Sequence, residues 1–258
     1  MKTTTMSCLA AAIALAASVN ALAADMAKAT MTRLYTDTVA PKDQVAYEAG
    51  VKAYNKCLGD HGFKYTWTAL GHETGNVYTY SYVSAAGSWA DFDKMHDGAK
   101  ACDDAWRTQA NPHIQSEYSA FLEAMPELSH TSKDMMSNAK LVHITFFTLK
   151  HGHDNHVAFT DAVKKLAAAA EKAKWPYYYT FQAVVDGDKG AADFVLANWS
   201  KSWAEFGADP NPAFWQMVEG VYGKDETASL RKTVNDATTD VNSHIDSVNA
   251  DLTYTAAK

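Results

Sequence analysis

The sequence predicts an α+β fold built from two similar halves, and three observations support this prediction. Shifting the chain by 114 residues aligns residues 65–70 (YTWTAL) with 179–184 (YTFQAV) and residues 88–92 (SWADF) with 202–206 (SWAEF), without a gap. Each half also alternates segments of strand periodicity with segments of helix periodicity. Apolar residues make up 47% of the 258-residue chain, enough for a buried core. The chain is therefore expected to contain one structural unit twice.

The first copy, residues 31–137, is predicted to run strand, helix, strand, strand, helix. Its first helix extends from about Lys42 to Leu58, because apolar side chains recur there at every fourth position. Ser88 is a natural N-cap for the second helix. The three strands are expected near residues 31–39, 63–71 and 76–84.

The second copy, residues 138–258, repeats this order. Alternation of Val142, Ile144 and Phe146 predicts its first strand, and apolar spacings of three and four predict a helix that ends before Pro176. The strands are expected at residues 141–149, 177–185 and 191–198.

After Ser202, the predicted N-cap of the next helix, the second copy is richer in helical periodicity. Apolar residues spaced by three and four from Leu230 to Leu252 predict a long C-terminal helix. This stripe fits core packing better than a dimer seam, because the remaining positions lack a clear charge pattern. A homodimer stays open as an alternative.

The N-terminus predicts an exported protein. Residues 1–23 combine Lys2, an apolar run from Leu9 to Val19 and an A-x-A cleavage site, which is the pattern of a secretory signal peptide. The run is too short to span a bilayer. The mature chain is expected to begin at Ala24 in a secreted or periplasmic location.

Two cysteines, Cys57 and Cys102, follow the signal peptide. Each lies on the apolar face of a predicted helix. A disulfide between them and a pair of buried free thiols are both compatible with the sequence, because bonding depends on Cα atoms lying about 4.4 to 6.8 Å apart.

Charge and motifs exclude several function classes. The formal net charge is −7 and no dense cluster of Lys and Arg is present, which disfavours nucleic acid and anionic membranes as partners. The sequence contains no G-x-S-x-G, H-E-x-x-H, P-loop or dinucleotide-binding motif. Common hydrolase, zinc-protease, kinase and Rossmann functions therefore lack support.

The repeated unit, with a tryptophan opening its second helix, resembles the dimeric α+β barrel superfamily, which includes antibiotic-biosynthesis-monooxygenase-like and NIPSNAP-like domains. The resemblance rests on Trp89–Phe92 and Trp203–Phe206 and covers nearly all of the chain after the signal peptide. It implies that two tandem ferredoxin-like repeats pair their sheets into a barrel within one chain. The fourth strands are then expected at residues 128–131 and 252–255.

In this architecture one face of each sheet packs on helices and the other lines the barrel. Assigning Val142, Ile144 and Phe146 to the helix side sends His143 inward, and the corresponding first strand then sends Arg33 and Tyr35 inward. These three are the candidate catalytic residues. The candidate ligand-binding residues are aromatic, as is typical of small-molecule pockets: Tyr65, Trp67, Phe147, Tyr179 and Phe181.

The predicted function is binding of a small apolar or aromatic molecule by a secreted or periplasmic barrel protein. The alternative, favoured by the resemblance, is a cofactor-independent monooxygenase or isomerase that acts on a small aromatic substrate, with His143 as base and a pocket Tyr or Arg stabilising the anion. A third possibility is a structural or interaction protein that uses the C-terminal helix.

The cofactor is either absent or a divalent transition metal. His151, His153 and His156 cluster within six residues, and imidazole suits zinc, copper or nickel, so this loop is the candidate metal site. A solvated loop is the alternative. Some members of the superfamily bind haem, but no histidine of this sequence is marked as an axial ligand.

Overall fold

Eight antiparallel strands close into a barrel in the computed structural model, which describes residues 31–257. The strands are β1 (Met31–Val39), β2 (Trp67–His72), β3 (Thr79–Ser84), β4 (Ile114–Ala124), β5 (Leu141–Leu149), β6 (Thr180–Asp186), β7 (Phe194–Ser200) and β8 (Thr238–Val248). The helices are α1 (Gln44–Asp60), α2 (Trp89–Ala99), α3 (His153–Ala173), α4 (Trp203–Phe206), α5 (Phe214–Tyr222) and α6 (Lys224–Ala237). Short 3-10, α and π turns continue from α2 to His113.

The strands follow the order β1-β3-β2-β8-β5-β7-β6-β4 around the barrel. Each half therefore contributes four consecutive positions, β4-β1-β3-β2 and β8-β5-β7-β6, and the halves meet at the β2–β8 and β4–β6 seams. The barrel closes within one chain, as the resemblance implied. Because β1 and β5 are separated by three strands in either direction, they lie on opposite sides of the barrel.

The interior of the barrel contains an aliphatic cluster as well as polar side chains such as Ser81 and His72. Ile144 packs there with Leu34 of β1 and with Ala120 and Leu122 of β4, which come from the far side of the ring. The outer face of each sheet packs on helices instead: Phe147 and Leu149 contact the α3 core around Phe159, and Val39 contacts the α1 residues Tyr47 and Val51.

The predicted faces of β5 were wrong. Val142, Ile144 and Phe146 line the barrel interior, so His143 and Phe147 lie on the helix side, and Arg33 and Tyr35 lie on the corresponding outer face of β1. The physical reason is that the barrel interior is itself apolar here, so the more apolar face of β5 lines it and the face with His143 and Thr145 lies on the helix side. Alternation alone then separates two faces without showing which one packs on helices.

The predicted long C-terminal helix was also wrong. Helix α6 ends at Ala237, and residues 238–248 form β8 between β2 and β5. Val241 and Ile245 are four residues apart, a spacing that places side chains on one face of a helix and also on one face of a strand. Several β-branched residues in this segment favour the strand.

The predicted positions of the fourth strands, 128–131 and 252–255, were also wrong. Residues 114–124 form β4, and the expected segments contribute only isolated bridges, between His130 and Tyr179 and between Tyr254 and Trp67. The true fourth strands are longer and lie before the predicted positions.

Cys57 on α1 and Cys102, just after α2, form a disulfide with their Cα atoms 5.8 Å apart. Across residues 31–257, no helix has the length and apolar character needed to cross a membrane. The predicted signal peptide, residues 1–23, and the predicted start at Ala24 lie outside the described residues.

Candidate functional site

A cavity of about 290 Å³ lies between the sheet of the second half and the helices that cover it. Its walls come from three strands and three helices and are mostly aromatic or aliphatic. The lining residues are Phe147, Phe159, Val163, Leu166, Trp175, Tyr179, Phe181, Leu196, Asn198, Phe214, Trp215 and Val234. Flat walls with few polar groups fit a small aromatic molecule.

The rings around this cavity hold one another in place. Phe147 stacks on Phe181 with ring centroids 5.7 Å apart, and the fully buried Phe159 lies 5.5 Å from Phe147. Trp175 donates from its indole nitrogen to the Pro212 carbonyl oxygen at 2.9 Å. The aromatic walls are therefore fixed by packing and by this hydrogen bond.

Polar groups at the cavity are few. Asn198 donates from its side-chain amide to the Tyr178 carbonyl oxygen at 3.3 Å. Burial raises the pKa of Tyr179, so its phenol stays protonated at neutral pH. A bound molecule would therefore meet one amide and one neutral phenol among mainly apolar surfaces.

His143 lies beside this cavity, on the helix-facing side of β5. It is the cross-strand partner of Asn198, which lines the cavity, and its ring meets Phe206 of α4 edge to face at 5.8 Å. Burial, with a smaller contribution from His244, lowers the pKa of His143. Its imidazole is therefore neutral at pH 7 and can accept a proton.

Trp215 lines both the cavity and an open groove of about 550 Å³ between α5 and α6. In the groove the Arg231 guanidinium stacks on the Trp215 indole at 4.5 Å from the ring centroid.

Arg33 and Tyr35 lie in the other half, away from His143. The Arg33 guanidinium lies between the rings of Tyr35 and Phe121, at 4.7 and 4.3 Å from their centroids, and donates to Ser119 Oγ at 3.3 Å. Because β1 and β5 are on opposite sides of the barrel, the three candidate catalytic residues do not form one site.

The five candidate ligand-binding residues also divide between the halves. Phe147, Tyr179 and Phe181 line the cavity together. Tyr65 and Trp67 belong to a separate aromatic cluster of the first half, in which Trp67 packs on Tyr254 with ring centroids 5.2 Å apart.

The first half contains a buried polar network that the sequence did not reveal. The Tyr47 hydroxyl donates to Asp37 Oδ2 at 2.6 Å and lies 2.7 Å from the Tyr82 hydroxyl. Burial raises the pKa of Asp37 to about 7, with a further contribution from Glu117. No sequence motif marks this network, because its members come from β1, α1 and β3.

Candidate ligands for metal ions form two clusters among the described residues, and neither is the His151–His156 loop. His151, His153 and His156 are all exposed and do not converge at the start of α3. One of the two clusters contains the disulfide cysteines with His61. The other consists of His72, His244 and Asp246 inside the barrel.

Haem does not fit the cavity. Haem iron in proteins takes an axial His, Cys, Met or Tyr ligand. The lining residues include no His, Cys or Met, and burial keeps the phenol of Tyr179 protonated.

Comparison with known proteins shows a shared fold. No protein-family model and no curated protein sequence matches the chain. An anthrone oxidase-like protein shares its structure with a TM-score of 0.55 and 10% identity, over 89% of this chain and 94% of that one. A "putative monooxygenase" of Fusobacterium nucleatum matches with a TM-score of 0.54 and 12% identity, over 85% of this chain and 92% of that one. A second "putative monooxygenase", from Lactobacillus acidophilus, matches with a TM-score of 0.52 and 9% identity, over 89% of this chain and 97% of that one.

Proposed function

We propose that the protein binds a small aromatic molecule in the cavity of its second half and oxidises it with dioxygen as a cofactor-independent monooxygenase. The observation that carries this proposal is the aromatic cavity together with a neutral histidine, His143, that is the cross-strand partner of the lining residue Asn198. The fold shared with an anthrone oxidase-like protein and with "putative monooxygenases" supports it.

In the proposed reaction the substrate supplies the electrons. His143 accepts a proton from an acidic C–H or O–H group of a ring that lies against Phe147 and Phe181, and the resulting anion is delocalised over the aromatic system. For a methylene substrate such as anthrone, the CH₂ carbon and O₂ give a ketone and one water. Both hydrogens leave with one oxygen atom, and the other oxygen becomes the carbonyl.

The chain's own part is to hold and orient the substrate. The packed rings around Phe159 fix its plane and exclude water from the anion, which strengthens each polar contact. Asn198 is the cross-strand partner of His143, so its amide is close enough to the proposed base to orient a substrate oxygen.

Binding without reaction is the second candidate function. The favouring observation is that Tyr179 is the one ionisable residue among those lining the cavity. A barrel that only carries an aromatic molecule needs the apolar walls and does not need His143.

Oxygen uptake and binding distinguish the two functions. With anthrone as probe, we expect oxygen consumption in the presence of a metal chelator and a loss of about 100-fold or more in His143→Gln, typical of removing a general base. The exposed His151→Gln is the matched control and should keep full activity. Anthrone binding, seen as quenching of Trp175 and Trp215 fluorescence, without oxygen uptake would support the carrier function. If the protein neither binds anthrone nor consumes oxygen, both candidate functions are contradicted.

We also propose that the protein is exported and that its halves arose by duplication of one unit. The signal-peptide pattern in residues 1–23 and the disulfide support export. The common strand order and the repeated SWADF and SWAEF segments support duplication. Mass spectrometry of secreted protein should find Ala24 at the N-terminus, and retention of residues 1–23 would contradict export.

A further inference from the structure

Two histidines and an aspartate converge inside the barrel at the β2–β8 seam, away from the aromatic cavity. His72 and Asp246 are cross-strand partners, and His244 lies two residues before Asp246 on the same face of β8. Their neighbours on β5 are Ile144, opposite His244, and Val142, opposite Asp246, and both face the interior. The three polar side chains therefore point into the barrel interior, beside the apolar side chains of Val142 and Ile144.

The distances between their polar atoms suit a shared metal ion. Asp246 Oδ1 lies 3.3 Å from His244 Nε2 and 3.7 Å from His72 Nε2. Ligands about 2.0 to 2.2 Å from a tetrahedral zinc ion are separated from each other by roughly 3.3 to 3.5 Å. The two imidazole rings are stacked with their centroids 4.1 Å apart, and the ligand atoms of all three residues lie within 4.8 Å of one another.

The carboxylate of Asp246 is an independent indication of a ligand. Asp246 is fully buried, and within residues 31–257 neither of its oxygens has a hydrogen-bond partner. A buried charge without a partner is strongly unfavourable. The two imidazole nitrogens lie 3.3 and 3.7 Å from Oδ1, and neither forms a hydrogen bond with it.

Neighbouring groups leave room for further coordination. The Ser81 hydroxyl lies 3.4 Å from His72 Nε2 and 3.1 Å from the Thr36 hydroxyl. These two oxygens can position a water molecule as an additional ligand. The side chains of His72 and His244 keep 10% and 18% exposure, which gives an ion a path from the barrel mouth.

We propose that His72, His244 and Asp246 form a binding site for one divalent first-row transition metal, such as zinc, within the barrel. Two imidazoles and one carboxylate are the donor set that such ions take in proteins. The site is separate from the cavity of the second half and does not depend on the proposed oxidation. Its position, at one of the two seams between the halves, makes the ion a cross-link between β2 and β8.

The test measures the metal directly. Apoprotein without affinity tag is titrated with Zn²⁺ by calorimetry, under non-reducing conditions that keep Cys57 and Cys102 bonded. We expect one zinc per chain and a loss of affinity of about 100-fold or more in His244→Gln and in Asp246→Asn, since even residues that only support ligands account for about 10- to 100-fold. The matched control removes three other histidines, His151→Ala/His153→Ala/His156→Ala, and should bind zinc as the wild type does.

A second measurement uses the wild-type protein only and stays informative if a variant fails to fold. Zinc should protect His72 and His244 from modification by diethyl pyrocarbonate, mapped by mass spectrometry, whereas the exposed His151 should react equally with and without zinc. Absence of stoichiometric zinc binding, unchanged modification of His72 and His244, or loss of binding in the loop variant alone would overturn the proposal.

Discussion

In the second half of the molecule, aromatic rings on β5, α3 and β6 surround a cavity, whereas in the first half the hydrogen-bonded Asp37, Tyr47 and Tyr82 occupy the corresponding layer between sheet and helix. Both halves have the same strand order. A shift of 110 residues matches Asp37 with Phe147, so one polar and one aromatic residue take the same place on the two sheets.

The difference shows how one architecture supports two roles. In the first half, the hydrogen bonds of the Tyr47 hydroxyl to Asp37 Oδ2 and to the Tyr82 hydroxyl stabilise one arrangement of buried polar groups, although Asp37 Oδ1 has no hydrogen-bond partner among the described residues. Aromatic walls leave space because rigid rings cannot fill every gap. Ligand binding is therefore expected in the second half and stability that depends on pH in the first.

The largest expected effect is on the packing of the second half. Phe159 is fully buried among three other rings, so Phe159→Ala should lower the free energy of unfolding by about 3–5 kcal/mol. Thermal unfolding would then occur roughly 10 °C lower. The exposed Val157→Ala on the same helix is the control and should change little. If both variants lower the free energy of unfolding equally and only slightly, the packing of the cavity walls contributes little to stability.

The pH dependence of stability should come from the first half. Burial raises the pKa of Asp37 to about 7, above the value of about 3.9 in unfolded chains. Between these values the folded state binds more protons, so the free energy of unfolding falls as pH rises, by up to about 1.4 kcal/mol per pH unit from this group.

Urea unfolding from pH 4 to 8 of the wild type and Asp37→Asn checks this expectation. The difference between the two proteins should change with pH up to about 7 and become constant above it. Parallel stability curves would show that Asp37 keeps an ordinary pKa.

Removal of one hydroxyl from the same network should have a smaller effect. Tyr47→Phe deletes the donor to Asp37 and the partner of Tyr82, and leaving a buried acceptor unpaired costs about 1–3 kcal/mol. Tyr65→Phe, which removes a hydroxyl that makes no hydrogen bond within the described chain, is the control for chemical denaturation. If both variants are equally stable, the first half does not depend on its polar network.

The sequence predicted the repeated architecture better than its details. The limits of β1 and β5 were confirmed, and for β5 the prediction rested on the alternation of Val142, Ile144 and Phe146. The fourth strands were predicted in the wrong segments. For β8 the reason is that Val241 and Ile245 fit a helix and a strand equally well. Correct placement requires knowledge of the pairing of β8 with β2 and β5, and of β4 with β1 and β6.

For the candidate site, the sequence predicted which aromatic residues lie together but not on which side of the sheet they lie. Phe147, Tyr179 and Phe181 do line one cavity, but outside the barrel, because the more apolar face of β5 lines the barrel interior and not the helix side. The cluster of His72 and His244 could not be predicted at all. It exists only through the register of β2 against β8, and residues 238–248 were predicted to be helical.

The smallest expected change in stability gives the sharpest test of the comparison. Leu196 lines the cavity and matches Tyr82 under the shift of 114 residues, so Leu196→Phe gives the second half a ring where the first half has one. Because the added atoms enter existing space, the free energy of unfolding should stay within about 1 kcal/mol of the wild type. Anthrone affinity, followed by tryptophan fluorescence, should fall about tenfold or more because the ring occupies the ligand's volume. Val241→Phe, on the exposed outer face of β8, adds a similar ring elsewhere and should leave binding unchanged. Undiminished binding in Leu196→Phe would place the aromatic ligand outside this cavity, and the two halves would then differ in packing without differing in role.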